Sequence, residues 1–273
     1  MLEATQHAES TFVTLTYSEQ SLPKLPLVGG LLPTLQRKDV VGFLKRLRTN
    51  VSPVKFRFFG CGEYGEQTER PHYHLLLFGL PTCARGRTGA GYLKPAEHWR
   101  ECCASCRRIG EAWGHGIIFQ GQFTRESAQY VAGYTVKKMT AKDDDRLGGR
   151  HPEFPMMSLR PGIGAWAMED VALTIMQHPR LAKQADVPTA LVHGKRPMPL
   201  GRYLRRQLRQ ALGREPGAPE RIEDEEMRLV RENQVLRSIQ EETSVRKIIL
   251  QDNAAANLSL DVRFEIHERK KPL

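Results

Sequence analysis

The chain of 273 residues is 40% hydrophobic and 26% charged, and no apolar run approaches the roughly 18 residues that would cross a membrane. Its formal net charge is +10, with 30 Lys and Arg against 18 Asp and Glu in residues 1–212, which favours a polyanionic partner, nucleic acid first, over a surface charged only for solubility. The N-terminus lacks the basic and apolar regions of a signal peptide, and the five cysteines are odd in number, which argues against a secreted disulfide framework and for a reducing cytoplasm.

The first elements along the chain are a strand and a helix. TFVTLTY (11–17) alternates β-branched and aromatic residues with their neighbours and predicts a strand. The Pro- and Gly-rich stretch 23–33 predicts a loop, and Asp39 is the predicted N-cap of a helix over 40–48 with apolar residues at helical spacing.

The sequence RPHYHLLLFGL places two histidines one residue apart in an apolar run. Alternate residues of a strand share a face, so His72 and His74 are expected side by side, about 7 Å apart. If strands over 54–65 and 71–79 pair across the Gly-rich turn, Glu63 lies beside His72. Two imidazoles and one carboxylate predict a site for Mg²⁺ or Mn²⁺, with the histidines favouring Mn²⁺. The alternative is two buried histidines that only satisfy hydrogen bonds.

The segment after this hairpin contains four of the five cysteines. A loop over 81–94 and a helix over 95–112 are predicted. The three cysteines of ECCASC (101–106) fall on the apolar pattern of that helix, so we expect them to pack in the core. A structural zinc site that also uses Cys83 is the alternative, but Cys-x-x-Cys supplies only one of the two ligand pairs that zinc usually needs.

A strand over 116–123 leads into a helix with two tyrosines. Tyr130 and Tyr134 are four residues apart and share a stripe with Lys137, while Lys138 follows Tyr134 by four. In isolation such a stripe is more often core tyrosines and solvated lysines. Next to a metal site, a lysine and the ion favour the phenolate and offset charge on a transferring phosphate, which predicts a nucleophile.

The remaining elements are shorter. The sequence predicts, in order, a polar loop over 141–155, a turn at SLRPGIG, a helix near 165–176, a hairpin around LVHGKRPMP and a basic helix over 201–213. We expect one domain over 1–212, a linker over 213–219 and an acidic, mostly helical extension over 220–273. Helices interleaved with antiparallel strands predict an α+β fold, a central antiparallel sheet with helices packed on it.

Four segments together resemble the HUH endonucleases: FVTLTY, GCGEYGEQTERPHYHLLLFG, YVAGYTVKK and PEFPMMSLRPGIG. The resemblance covers about residues 10–200 and is strongest to the rolling-circle replication initiators of microviruses, in particular gokushovirus-like single-stranded DNA bacteriophages. It implies an RRM-like nuclease fold and a divalent metal held by Glu63, His72 and His74. It also implies that Tyr130 or Tyr134 attacks DNA, with Lys137 first and Lys138 second as the charge-stabilising residue.

The same resemblance implies the reaction. The protein would nick single-stranded or supercoiled origin DNA through a 5′-phosphotyrosine, leave a 3′-OH primer for the host polymerase and helicase, and later rejoin the ends. The alternatives are a transposase or plasmid relaxase of the same superfamily, or a DNA-binding protein without catalysis. Contacts to the DNA are expected from a set of polar and basic residues: Thr14, Thr16, Lys45, Arg46, Arg48, Arg160, Arg205 and Arg206.

Overall fold

The computed structural model describes residues 1–27, 30–65, 67–85, 98–137, 144–219 and 225–255. The strands are β1 (Ser10–Tyr17), β2 (Lys24–Leu27), β3 (Gly30–Pro33), β4 (Arg57–Tyr64), β5 (Pro71–Phe78), β6 (Gly116–Gln122), β7 (Phe154–Met157), β8 (Ala190–His193) and β9 (Arg196–Pro199). The described helices are α1 (Arg37–Asn50), α2 (His98–Glu101), α3 (Ala104–Trp113), α4 (Arg125–Lys137), α5 (Ala167–Gln177), α6 (Pro179–Ala182), α7 (Arg202–Ala211), α8 (Glu225–Gln240) and α9 (245–255). The chain divides into two compact units, residues 1–216 and 217–273.

Five strands form one antiparallel sheet in the order β6–β1–β5–β4–β7. This arrangement, with helices packed on the sheet and helices in the C-terminal unit, confirms the predicted α+β class. The predicted hairpin of β4 and β5 is also confirmed, and its register sets Glu63 opposite His72.

Helices cover both faces of the sheet, which is why the central strand β5 is apolar along most of its length. Tyr73 and Leu75 point to one face, where they join the main core with residues of α1 and α3. Leu76 and Phe78 point to the other face and pack under Val131 of α4. The histidines of β5 alternate with Tyr73, so they lie on the α4 face.

Tyr73, between the two histidines, is completely buried with its hydroxyl in a polar network. The hydroxyl lies 2.9 Å from that of Tyr17, which donates to Asp39 at 2.8 Å, and it accepts the N–H of Gln36 at 2.8 Å. Burial raises the pKa of Tyr73 above its ordinary value, so the phenol stays neutral. Asp39 was predicted to be an N-cap, but α1 begins at Arg37 and the carboxylate is bonded to Tyr17 instead.

The sheet order leaves β2 and β3 as a separate antiparallel ribbon, where the sequence predicted a loop. Pro26 and Pro33 made this stretch look irregular. Each strand of a two-stranded ribbon has an outward edge on which no N–H is needed, so prolines fit there.

The C-terminal part of the first unit is held by a second apolar cluster and an ion-pair group. Residues of α5 and α7 pack against Val187 and Leu200. Asp186 accepts hydrogen bonds from Arg205 at 2.6 Å and from Arg209 at 2.7 Å.

In the second unit, α8 and α9 are joined by an ion pair of Arg237 and Asp252 at 2.7 Å. Ile248 is fully buried there. Over the part of the chain that the structure describes, no helix is both long and apolar enough to span a bilayer.

Candidate metal and tyrosine site

The histidine pair and Glu63 form a cluster on the α4 face of the sheet. His74 Nε2 lies 2.8 Å from Glu63 Oε1, and both side chains are buried, with 5% and 4% exposed. The rings of His72 and His74 are 6.4 Å apart between centroids and inclined by 38°. Glu63 is paired with His72 in the strand register, but its carboxylate reaches diagonally to His74.

Two threonines of β1 orient the imidazoles. The register of β1 and β5 sets Thr14 opposite His74 and Thr16 opposite His72. Their hydroxyls lie 2.9 Å and 3.0 Å from the respective Nδ1 atoms. Because each threonine fixes Nδ1, each ring can present only Nε2 to a ligand, which is the usual arrangement of metal-binding histidines.

The threonine hydroxyls therefore act on the histidines, a role that the sequence did not reveal. Their predicted contact with DNA stays a prediction. The pairing of β1 with β5 was the missing information, because a threonine and a histidine can be matched only when the register of two strands far apart in sequence is known.

Gly65 follows β4 and leaves space beside His72. A Cβ built on Gly65 would lie 2.9 Å from His72 Nε2, which is closer than side chains approach. Any larger residue would occupy the volume into which this nitrogen points. The glycine thus keeps the open side of the ring accessible.

Helix α4 brings a tyrosine to the same cluster. Its start is fixed by Thr124, whose Oγ1 accepts the N–H of Ser127 at 3.1 Å, as the sequence predicted. Val131, with no exposed surface, anchors the helix on the sheet. One residue earlier, the Tyr130 ring lies edge-on to His74, with 5.2 Å between centroids.

Tyr130 is both close to the histidine and open to solvent, with 44% of its surface exposed. Phe12 completes the contact, because it stacks on His74 at 5.9 Å and meets Tyr130 edge-on at 6.2 Å. A ring held between apolar neighbours and a metal-ligand candidate, with an accessible surface, suits a group that must meet a large substrate.

The other residues of the predicted stripe are described only in part. Tyr134 and Lys137 belong to α4, one and two turns beyond Tyr130, and only their backbone is described. Lys138 lies outside the described residues. The stripe remains a prediction beyond Tyr130.

The cluster fits a divalent ion of the Mg²⁺ or Mn²⁺ type. The 2.8 Å between Glu63 Oε1 and His74 Nε2 is close to the roughly 3 Å between adjacent ligand atoms of an octahedral site with bonds of about 2.1 Å. Carboxylate and imidazole donors from two neighbouring strands, both buried, are ligands such ions accept. His72, with Nε2 on the open side at Gly65, supplies the third donor.

The basic residues predicted on α1 lie away from this cluster. The helix packs on the opposite face of the sheet, since its apolar residues belong to the core that contains Tyr73. Arg46 donates to the carbonyl of Ala112 at 2.7 Å and caps the end of α3. Arg48 lies over the ring of Phe56 at 5.2 Å. Lys45 is exposed, so DNA would meet it only by passing around the sheet.

The C-terminal arginines differ in availability. Arg205 is committed to Asp186 through the 2.6 Å hydrogen bond, which leaves it a structural role. Arg206 and Arg160 are exposed. Arg160 adopts a positive φ of 66° in the turn that follows β7, which directs this turn away from regular structure.

Comparison with known proteins places the site inside a matched region. Residues 10–139, which include β1, β4 to β6 and α4, match a family model of replication-associated proteins of the ORF2 type. Replication-associated protein ORF2 of Spiroplasma virus 4 is 32% identical over 135 residues, which cover 48% of this chain and 39% of the relative. Replication-associated protein VP4 of Bdellovibrio phage phiMH2K is 31% identical over 153 residues, 53% of this chain and 43% of the relative.

Replication-associated protein ORF4 of Chlamydia phage 1 is 28% identical over 149 residues, 52% of this chain and 34% of the relative. The matches confirm the predicted resemblance to phage replication proteins, and they cover less than half the length of each relative. No solved structure matches the chain.

Proposed function

We propose that the chain is a rolling-circle replication initiator that nicks phage origin DNA through a tyrosine. The observation that carries the proposal is the position of Tyr130, whose ring lies 5.2 Å from that of His74 on the face that also holds Glu63 and His72. The similarity to replication-associated phage proteins supports the same conclusion.

Glu63, His72 and His74 would hold the divalent ion, Mg²⁺ or Mn²⁺. When bound there, the ion would polarise the scissile phosphate and offset its negative charge. Thr14 and Thr16 hold the rings so that the Nε2 atoms face that position. Burial of Glu63 and His74 fixes both side chains before DNA arrives, so little reorganisation is needed.

Tyr130 or Tyr134 supplies the nucleophile. The phenolic oxygen attacks the phosphorus, the bond from phosphorus to the 3′-oxygen breaks, and the departing 3′-oxygen takes up a proton while the phenol gives up its own. The products are a 5′-phosphotyrosine and a free 3′-OH. Lys137, two turns along α4 from Tyr130, is assigned to neutralise charge on the phosphate or phenolate, with Lys138 as the second choice.

Two tyrosines one helical turn apart allow a second cut at the same metal site. After one round of synthesis the free tyrosine would cut the regenerated origin, and the 3′-OH would attack the first phosphotyrosine to close the circle. The 3′-OH left by the first cut would serve the host polymerase and helicase, and this places the proposed reaction in the cytoplasm of the bacterial host.

The competing functions predict different products. A non-catalytic DNA-binding protein would form no covalent adduct. A transposase or relaxase of the same superfamily would transfer the bound strand to an unrelated strand, whereas an initiator rejoins the ends of one strand into a circle.

The test uses a pool of single-stranded DNA of randomised sequence, labelled at the 3′ end, with Mn²⁺ or Mg²⁺. We expect a labelled protein band that survives denaturation, because a 5′-phosphotyrosine retains the 3′ fragment. The band should be lost in the double variant Tyr130→Phe/Tyr134→Phe. Tyr203→Phe is the matched control, since Tyr203 is 43% exposed and Tyr130 44%. No adduct with either ion, or an adduct that persists in the double variant, would contradict the proposal.

A further inference from the structure

Four cysteine thiols converge on the opposite side of the sheet from the histidines. The sulfur atoms of Cys83, Cys102, Cys103 and Cys106 all lie within 4.8 Å of one another, and those of Cys83 and Cys102 are 3.5 Å apart. Cys83 and Cys106 belong to the main core, on the face away from the histidines, and Cys102 and Cys103 are half-buried against it.

A break in the predicted helix produces this convergence. The sequence predicted one helix over 95–112, but α2 ends at Glu101 and α3 begins at Ala104. Cys103 is extended, with φ −139° and ψ 169°, and caps α3 through its sulfur, which accepts the N–H of Cys106 at 3.5 Å. The expectation that the cysteines occupy positions on one continuous helix is therefore wrong.

The spacing of the sulfurs matches a tetrahedral thiolate site. With Zn–S bonds of about 2.3 Å, neighbouring sulfurs of a tetrahedron are about 3.8 Å apart. The measured 3.5 Å for Cys83 and Cys102, and the 4.8 Å limit for the whole set, bracket that value. Core packing alone does not require four thiols to face one another, because each could instead contact the surrounding apolar residues.

The local electrostatics favour thiolate ligands. The first turn of α3 directs backbone N–H groups toward the Cys103 sulfur, and the positive end of the helix dipole favours negative charge there. The Cys106 thiol donates to Gln120 Oε1 at 3.2 Å. Metal binding would replace that contact and release the thiol protons.

We propose that Cys83, Cys102, Cys103 and Cys106 bind one Zn²⁺ as a structural tetrathiolate site. Four protein ligands leave no open coordination position, so the ion has no catalytic role. It would fasten the segment after β5 to the start of α3, next to β6, and so stabilise the side of the sheet that carries the main core. This site is separate from the one proposed for Mg²⁺ or Mn²⁺ and does not depend on it.

The first measurement is the zinc content of the full chain, purified with a reductant and without added metal. We expect one equivalent of zinc per chain. The same amount is expected in Cys61→Ser, which removes the fifth cysteine, buried in the other cluster under α4. It is also expected in His72→Ala/His74→Ala, while Cys83→Ser/Cys103→Ser should lose it. Zinc that is absent from the wild type, or lost only in the histidine variant, would overturn the proposal.

A second measurement covers the case in which the cysteine variant does not fold. Wild-type chain is stripped with a chelator and refilled with Co²⁺, and the absorption spectrum is recorded. Intense visible bands of tetrahedral Co²⁺ and a thiolate-to-metal charge-transfer band would support the site. A spectrum without thiolate charge transfer, or a disulfide of Cys83 and Cys102 in place of metal binding, would overturn it.

Discussion

Replacing Thr14 by valine removes the hydroxyl that lies 2.9 Å from His74 Nδ1 and keeps the branched shape of the side chain. The histidine is 5% exposed, so water cannot readily replace the lost partner. The ring would then be free to turn, and its Nε2 would no longer be held toward Glu63 and the ion.

The size of the effect follows from the burial. Loss of a hydrogen bond to a buried polar group costs about 1–3 kcal/mol. Since about 1.4 kcal/mol is a factor of ten in affinity, the variant should bind Mn²⁺ about 10- to 100-fold more weakly. Thr16→Val should have a smaller effect, because its partner His72 is only half-buried and solvent can compensate.

The assay is a titration of the full chain with Mn²⁺, followed by the paramagnetic resonance signal of the free ion. Thr14→Ser is the matched control because it keeps a hydroxyl at the same position. Urea denaturation of each variant separates lost positioning from lost folding. If Thr14→Val and Thr14→Ser both bind Mn²⁺ as the wild type does, the assignment of Thr14 as a positioning residue is refuted.

Three further predictions concern other parts of the first unit. Gly65→Ala places a methyl group 2.9 Å from His72 Nε2, so Mn²⁺ binding should weaken in the same titration, and an unchanged affinity would refute the open-side argument. Tyr73→Phe leaves buried partners without the hydroxyl and should lower the free energy of unfolding by about 1–3 kcal/mol in urea, with nicking retained in the folded protein; an unchanged midpoint would contradict this. The hydrogen bond from Arg209 holds the pKa of Asp186 well below its ordinary value, so Asp186→Asn should be less stable than the wild type at every pH above about 4, and the difference should shrink as the pH falls further; a constant difference down to about pH 3 would argue against it.

The parts of the site that the sequence predicted are those set by local rules. Alternation along one strand is enough to put His72 and His74 on one face, and a short turn is enough to bring Glu63 alongside. Helical spacing and the Thr124 cap predicted α4, although only the structure shows that its Tyr130 lies over His74.

What the sequence did not show depends on contacts between distant segments. The roles of Thr14 and Thr16 require the pairing of β1 with β5, which no local pattern specifies. The break before α3 arises because the Cys103 sulfur caps the helix, and cysteine is not among the usual N-cap residues. The basic residues of α1 looked like DNA contacts because the pattern gives a helix face but not the side of the sheet it covers.

Identifying the residue that carries the DNA tests the proposed site most directly. The adduct formed with Mn²⁺ is digested with protease and nuclease, and the modified peptide is located by mass spectrometry. We predict a 5′-linked nucleotide on the α4 peptide, at Tyr130 or Tyr134. A nucleotide on a tyrosine outside α4, such as Tyr203, would contradict the account, because that residue lies on α7 and not beside the histidines and Glu63.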